Sequence, residues 1–446
     1  MYSRVIFCFF ILLFVCKSSW AQEQPNNKQL QQIEHYLTAR LTGYNQEQLL
    51  IPADFASRIK ASHVVSAQQC IWDIWRSVNS KQEQLPMPSL AAEGKQYPLY
   101  QWALFKEDPM PFYFIAKEDP SLYKKPLFIH LHGSGPKEQE LKAGLSWSLR
   151  YKDAPSLYFI PQIPNEKRYR WWLQPMQLAW ERLFRLVMLD EQIDANRLYM
   201  LGISEGGYGS QRLGAFYADY LAGAGPMAGG EPLENAPVLN YRHVAFSFQT
   251  GANDSTYGRN KLTMLAKTTF DSLAKVFPGD FVHKIELQKG KGHGIDYTVT
   301  TPWLSLYSRK VNPSQFSWVW FPMDGRYRKG FYNIAVAESP FTEGEEDTFD
   351  RITFDIRMDK SSNTVYVDAA LSNPALDTKK ALAKGVIYVY LNQDLIDLSK
   401  KVKVVYKDKQ VFKGKVQLTD ANLAESCALF GDPERLFPAK IRVNLY

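Results

Sequence analysis

The stretch Leu198-Tyr-Met-Leu-Gly-Ile-Ser-Glu-Gly-Gly-Tyr208 limits what this chain can fold into more than any other segment. An apolar run reaches Gly202, then Ser204 follows, and Gly206 and Gly207 open a segment of helical character. The pattern reads as strand, sharp turn, helix. In a turn that tight, Cβ atoms two residues to either side of the serine would collide, so glycine at 202 and 206 lets Ser204 stand clear of the sheet edge in a strained conformation. The helix that follows aims its unpaired N–H groups, the positive end of its dipole, at charge developing beside the serine. Such a serine is placed to act as a nucleophile.

Three other segments agree with that reading. Leu127-Phe-Ile-His-Leu-His-Gly-Ser-Gly-Pro136 is a β-rich apolar run leaving into a glycine-rich turn, the kind of strand exit that offers a second backbone N–H to an oxyanion. Val244-Ala-Phe-Ser-Phe-Gln-Thr-Gly-Ala-Asn-Asp-Ser255 is a buried-type strand that delivers Asp254 through an Asn-Asp bend. Gly290-Lys-Gly-His-Gly-Ile-Asp296 presents His293 between glycines in a polar loop, a poor setting for a packed core histidine. The chain order is therefore Ser204, Asp254, His293, which differs from the orders in chymotrypsin and subtilisin.

On these residues, the region from about 97 to 312 resembles an α/β-hydrolase domain. It is similar to secreted esterases of the feruloyl-esterase and polyhydroxybutyrate-depolymerase type and to prolyl-oligopeptidase-like catalytic domains. The phrase Ile193-Asp-Ala-Asn-Arg-Leu-Tyr-Met-Leu-Gly-Ile-Ser-Glu-Gly-Gly207 carries most of the likeness. The resemblance implies that Ser204 attacks an acyl carbonyl, His293 relays the proton and Asp254 orients the imidazole. It also implies an oxyanion hole made by the backbone N–H of Glu205 and one from the Gly133-Ser134 turn.

Rival assignments are weaker on the residues themselves. His243 and His283 flank strands. Among the aspartates, Asp271 has no strand-end turn, Asp280 sits in the turn Pro278-Gly-Asp280, and Asp296 is too close to His293 along the chain. Glu205 beside the nucleophile is expected to serve the first turn of the helix, where the dipole favours a negative charge by about 0.3–1 kcal/mol. The alternatives for it are a pair with Arg212 or a grip on a substrate cation. His130 and His132 alternate along a strand and face one side, yet no further ligand completes a metal set, so both are read as structural and no cofactor is expected. Neither a phosphate-binding glycine loop nor a basic-aromatic array for nucleic acid is evident.

Arg4, the apolar run Val5–Val15 and the small residues Ser19 and Ala21 form a signal-peptide pattern with cleavage after Ala21, so the mature protein is expected to be exported, periplasmic or secreted. That apolar run is too short to span a membrane, and bulky Phe14 and Val15 make Cys16 a poor lipidation site. Loss of Arg4 and Lys17 takes the formal charge from +7 to +5, too little to argue for an acidic polymer partner. The lysines at 400, 401, 403, 407, 409, 413 and 415 are read as protection of an exposed strand edge. Cys70 and Cys427 remain in the mature chain, either as one disulfide or as two buried thiols.

Four regions are expected: the signal peptide (1–21), a helical segment (22–97), the α/β-hydrolase sheet with helices on both faces (98–311) and a β-sandwich-like domain (312–446). The helical segment carries amphipathic candidates at Gln29–Leu41 and Val64–Val78, the latter with Ile71, Ile74 and Trp75 on one side. In the last region, short alternating segments such as Ile352–Ile356 and Val365–Val367 are separated by turns. Within the hydrolase region, the insertion Asn165–Trp172 crowds cations and aromatics where strand-end connections line a ligand cleft. There Tyr169, Trp171 and Trp172 are candidates to stack on a sugar or phenolic group, with Arg168 or Arg170 meeting a carboxylate. The alternative is that the tryptophans pack under the following helix.

The sum is an exported serine hydrolase, foremost a carboxylesterase acting on a small-molecule or carbohydrate ester. A prolyl-oligopeptidase-like peptidase is the nearest alternative, but the about 75 residues before the hydrolase region are too few for a propeller. A hydrolase fold kept as a binding module is the third.

Overall fold

The computed structural model describes residues 27–42, 57–92, 94–118, 123–167, 170–344 and 348–446; residues 1–21, expected to be a signal peptide, lie outside these. Among them, a nine-stranded sheet organises the first two-thirds of the chain. Its strands are β1 (Ser89–Leu90), β2 (Tyr100–Leu104), β3 (Glu107–Ala116), β4 (Lys125–Leu131), β5 (Leu157–Pro161), β6 (Ile193–Ile203), β7 (Gly223–Met227), β8 (Ala245–Gly251) and β9 (His283–Gln288). Their order is β1-β3-β5-β4-β6-β7-β8-β9, with β2 hairpinned onto β3. From β5 through β9 all neighbours are parallel, and β3 joins β5 antiparallel. This is the α/β-hydrolase sheet. Strands β4, β5, β7 and β8 are buried at every position, which is why they read as continuous apolar runs: a parallel sheet is covered on both faces.

The covering helices follow from the 3.6-residue spacing of apolar positions. After α1 (Asn27–Thr42) and α2 (Val64–Ser80), which pack on each other, they are α3 (Lys137–Arg150), α4 (Gln174–Leu189), α5 (Glu205–Phe216), α6 (Arg259–Val276) and the short α7 (Thr300–Leu304). After β4 the chain steps to β5 on one side, and after α4 it returns to β6 on the other. The crevice opens at such a reversal, at the carboxyl ends of the strands. Leu131 of β4 pairs with Gly202 of β6, Ile203 with Met227 of β7, and Gly251 of β8 with Gln288 of β9. The loops after β4, β6, β8 and β9 therefore leave the sheet at one edge.

The remaining chain forms two further sheets. In one the order is β10 (Gln315–Trp320), β13 (Arg351–Asp359), β14 (Thr364–Ser372), β17 (Val402–Tyr406), β18 (Lys409–Gly414), with β15 (Lys379–Lys380) on β14. In the other it is β11 (Gly330–Phe331), β12 (Ile334–Glu338), β16 (Val386–Leu391), β19 (Ala439–Asn444). Ile352, Phe354, Ile356 and Met358 of β13 and Val365, Val367, Ala369 and Leu371 of β14 alternate inward, as the period of two requires. Lys409 and Lys413 fall on the edge strand β18. This region also contains a helix that the alternating pattern did not announce, α8 (Asp420–Phe430).

Helices α1 and α2 pack on each other and on α8; Gln68 of α2 donates to the Leu436 carbonyl at 2.7 Å, and Arg185 of α4 donates to Asn79 at the end of α2, with Arg182 pairing with Glu83 just beyond it. Cys70 and Cys427 are both buried as thiols. A buried ion network fastens the last third of the chain to the first sheet. Asp219, after α5, binds Arg328 and Arg435, while Asp432 binds Arg435 at 2.8 Å and Arg309 at 2.7 Å. Burial alone would raise the Asp219 carboxyl, but the two guanidiniums hold it below its usual range.

Candidate active site

Ser204 sits between β6 and α5 at φ 56° and ψ −115°, a conformation that only a tightly constrained turn imposes on a non-glycine residue. The constraint is visible in its glycines. A methyl carbon on Gly202 would lie 2.2 Å from the Gly206 carbonyl oxygen, and one on Gly206 would lie 2.0 Å from that of Leu131. Backbone is packed on backbone here, so the sheet and helix close on the turn only because no Cβ intervenes. The Ser204 N–H donates to the Met227 carbonyl at 2.9 Å, which ties the turn to β7.

His293 arrives from the loop after β9 and Asp254 from the loop after β8. His293 Nδ1 lies 2.7 Å from Asp254 Oδ2, and its Nε2 lies 3.0 Å from Ser204 Oγ. A carboxylate accepts, so Nδ1 carries the proton and Nε2 is the acceptor for the serine hydroxyl. Asp254 has a side chain 2% exposed, against 46% for His293: the acid is sealed behind a base that solvent reaches. The two loops touch through backbone. The Asn253 N–H donates to the Lys291 carbonyl at 2.8 Å, and a Cβ on Gly251 would lie 1.9 Å from the Gly292 oxygen. The rival residues are engaged elsewhere: Asp271 with Lys267 and His283, Asp280 with Arg242 and His243, and Asp296 as acceptor of the Thr298 N–H.

A residue the sequence did not flag completes this group. Arg259, first in α6, donates from one terminal nitrogen to Asp254 Oδ1 at 3.0 Å and from Nε to the Tyr208 hydroxyl at 2.9 Å. No spacing rule singles out an arginine in that role.

The turn after β4 lies against the serine: a Cβ on Gly133 would be 3.4 Å from Ser204 Cβ. Glu140 sits beside this turn, its Oε2 3.2 Å from where a Cβ on Gly133 would lie; burial raises its carboxyl and the Gly133 backbone opposes that rise. Glu140 was another unheralded neighbour, and Ser134 stands exposed at the tip of the turn. His132 stabilises the turn from within. Its Nδ1–H donates to the Gly133 carbonyl at 2.7 Å and its Nε2 accepts the Ile163 N–H at 2.9 Å, a neutral ring with its pKa pushed by burial down to about 4. His130 is likewise buried, bonded to Ser148 Oγ at 2.9 Å, with its pKa pushed to about 3.

The insertion divides. Arg168 and Tyr169 lie outside the described residues. Trp171, expected as a candidate for stacking on substrate, is 0% exposed and takes the packing role instead. Its indole N–H donates to the His132 carbonyl at 3.2 Å, and a Cβ on Gly209 would lie 2.7 Å from its own Cβ. A ring with no accessible surface cannot meet a ligand. Trp172 is partly buried, with the Arg212 guanidinium 4.1 Å from its ring centroid and that of Arg170 at 5.8 Å. Glu205 pairs with Arg170 at 3.4 Å rather than with Arg212, which pairs with Glu231 at 2.8 Å. Burial raises the Glu205 carboxyl, and Arg170 opposes that rise.

No family model and no curated protein matches this chain. Solved structures do. A thermostable esterase aligns at 22% identity over 48% of this chain and 63% of its own, with a TM-score of 0.38. An S-formylglutathione hydrolase from Staphylococcus aureus aligns at 12% identity over 47% of this chain and 98% of its own, TM-score 0.35. A CE1 ferulic acid esterase from Anaeromyces mucronatus aligns at 15% identity over 48% and 91%, TM-score 0.32.

Proposed function

We propose that this chain is an exported serine hydrolase, a carboxylesterase that removes acyl groups from small-molecule or carbohydrate esters. The observation that carries the reading is the unbroken relay from Ser204 Oγ through His293 to a sealed Asp254, at 3.0 and 2.7 Å. In this scheme His293 Nε2 takes the hydroxyl proton as Ser204 Oγ attacks the ester carbonyl. The oxyanion then accepts hydrogen bonds from the backbone N–H groups of Glu205 and of the Gly133-Ser134 turn. The imidazolium returns its proton to the departing alcohol, and an acyl-enzyme remains. Water, deprotonated by His293, hydrolyses it and restores the serine.

Arg170 and Trp172 stand at the rim beside the nucleophile helix and are assigned to the substrate, a cation and a ring face that suit an acyl or alcohol group with aromatic or sugar character. Export rests on Arg4, Val5–Val15 and Ala21. No helix among the described residues is long and apolar enough to cross a membrane.

A panel of acetyl, feruloyl and longer acyl esters, run beside peptide substrates with wild type and Ser204→Ala, tests the reading. Ester hydrolysis abolished by the substitution is expected. Hydrolysis confined to peptides would replace the esterase with a peptidase, and turnover persisting in Ser204→Ala would end the mechanism.

A further inference from the structure

Asp254 is a bridging carboxylate: one oxygen serves His293 at 2.7 Å and the other a guanidinium at 3.0 Å. Arg259 is 7% exposed, and its planar guanidinium presents its donors as a fixed fork. Its Nε bond to the Tyr208 hydroxyl reaches α5, the helix that begins beside the nucleophile, and the Tyr257 ring lies 5.1 Å across its face. The guanidinium thus joins the loop carrying the acid to the helix carrying Ser204.

Two consequences follow from charge and geometry. Orientation is the first: a carboxylate held at Oδ1 cannot rotate away from Nδ1, so Oδ2 stays on the imidazole. The second is electrostatic. When His293 takes the serine proton it becomes a cation, and a fixed positive charge behind Asp254 cancels part of the carboxylate field that would favour that form. Among the described residues, titratable or charged groups near the pair include Tyr208 on α5, Glu231 after β7, Tyr297 after His293 and Tyr257. Glu231 is paired with Arg212, and burial raises the phenols of Tyr208 and Tyr297, so neither ionises where histidine titrates.

We propose that Arg259 is the positioning residue of this relay: it locks Asp254 onto His293 and extends the working range of the base toward acid pH. The inference rests on the serine-hydrolase reading above.

The test is the rate of covalent labelling of the full mature chain by a fluorophosphonate probe, which reads serine activation without knowledge of the natural ester, from about pH 5 to 9. Arg259→Met should lower the plateau rate about tenfold or more and move the acid limb up by about one pH unit. Arg259→Lys should restore the limb while leaving part of the plateau deficit, because an ammonium makes a point contact where the fork made two. Tyr208→Phe should lower the plateau without moving the limb. An unmoved limb in Arg259→Met, or one moved to lower pH, overturns the proposal. Should Arg259→Met fail to fold, wild-type plateaus in both Arg259→Lys and Tyr208→Phe overturn it equally. Labelling of wild type that Ser204→Ala does not abolish removes the hydrolase reading instead, so the two failures are separable.

Discussion

Replacing Asp254 by asparagine sets its two partners against each other. Both His293 Nδ1 and Arg259 are donors, at 2.7 and 3.0 Å, and both need an oxygen. Asparagine has the same shape but one oxygen and one NH2. With the oxygen toward Arg259, the NH2 faces Nδ1; the ring then keeps its proton on Nε2, against Ser204 Oγ, and cannot serve as base. With the oxygen toward His293 the tautomer is productive, but the NH2 meets a buried guanidinium. That arrangement forfeits a charge-assisted hydrogen bond worth about 1.5–3 kcal/mol and leaves a buried donor unsatisfied at about 1–3 kcal/mol. The productive form therefore lies about 2.5–6 kcal/mol above the idle one, and at about 1.36 kcal/mol per decade turnover falls about seventy- to twenty-five-thousand-fold. Loss of the charge that steadies the imidazolium adds to this. Steady-state hydrolysis of p-nitrophenyl acetate measures the fall, with a thermal melt to show that the fold persists. A folded variant within about tenfold of wild type would refute the competition between the two donors.

Other substitutions probe the surroundings. Gly206→Ala puts a methyl carbon 2.0 Å from the Leu131 oxygen, so β4 and α5 must part; a displacement of about 1 Å between the Ser134 amide and Ser204 should reduce kcat about a hundredfold in the same assay, and near-normal turnover would contradict the backbone packing argument. Trp171→Ala should cost about 3–5 kcal/mol in denaturant unfolding, as loss of a fully buried ring does, whereas Trp172→Ala should raise KM with little change in stability; the reverse outcome would exchange their roles. Asp219→Ala strands Arg328 and Arg435 in a buried site and should destabilise by about 3–5 kcal/mol, read as a lowered unfolding midpoint. Asp432, its carboxyl held at about 2 by Arg309 and Arg435 against the effect of burial, has a depressed folded-state pKa. Its contribution is complete above the ordinary value of 3.8 and is lost as pH falls toward about 2, so Tm should drop less across that window in Asp432→Asn than in wild type.

The parts legible in the residues were those dictated within a few positions. The turn at Ser204 follows from Gly202 and Gly206, the buried parallel strands from unbroken apolar runs, and the helices Asn27–Thr42 and Val64–Ser80 from their apolar spacing. Asp254 and His293 were recognisable as strand-end residues beside glycines, because turn chemistry is local. Trp171 and Trp172 were not separable that way. They are neighbours of the same type, and which ring is covered depends on Gly209 and His132, which approach only after folding. Helix α8 was missed because its register is nearly uniform in burial, with few polar positions to mark a solvent face.

By itself, then, the order of residues determined that a serine would stand at a strained strand–helix turn in an α/β sheet, with an acid and an imidazole following on later strands. Steric exclusion at glycines and the burial of apolar runs act through near neighbours and leave their trace in the string. Tertiary structure alone decided that Arg259 and Tyr208 back Asp254, that Trp171 is fully covered while Trp172 is not, and that Asp219 binds arginines 109 and 216 positions away. Charge pairing is long in sequence and short in space, so its partners are chosen only when the sheet has brought them together.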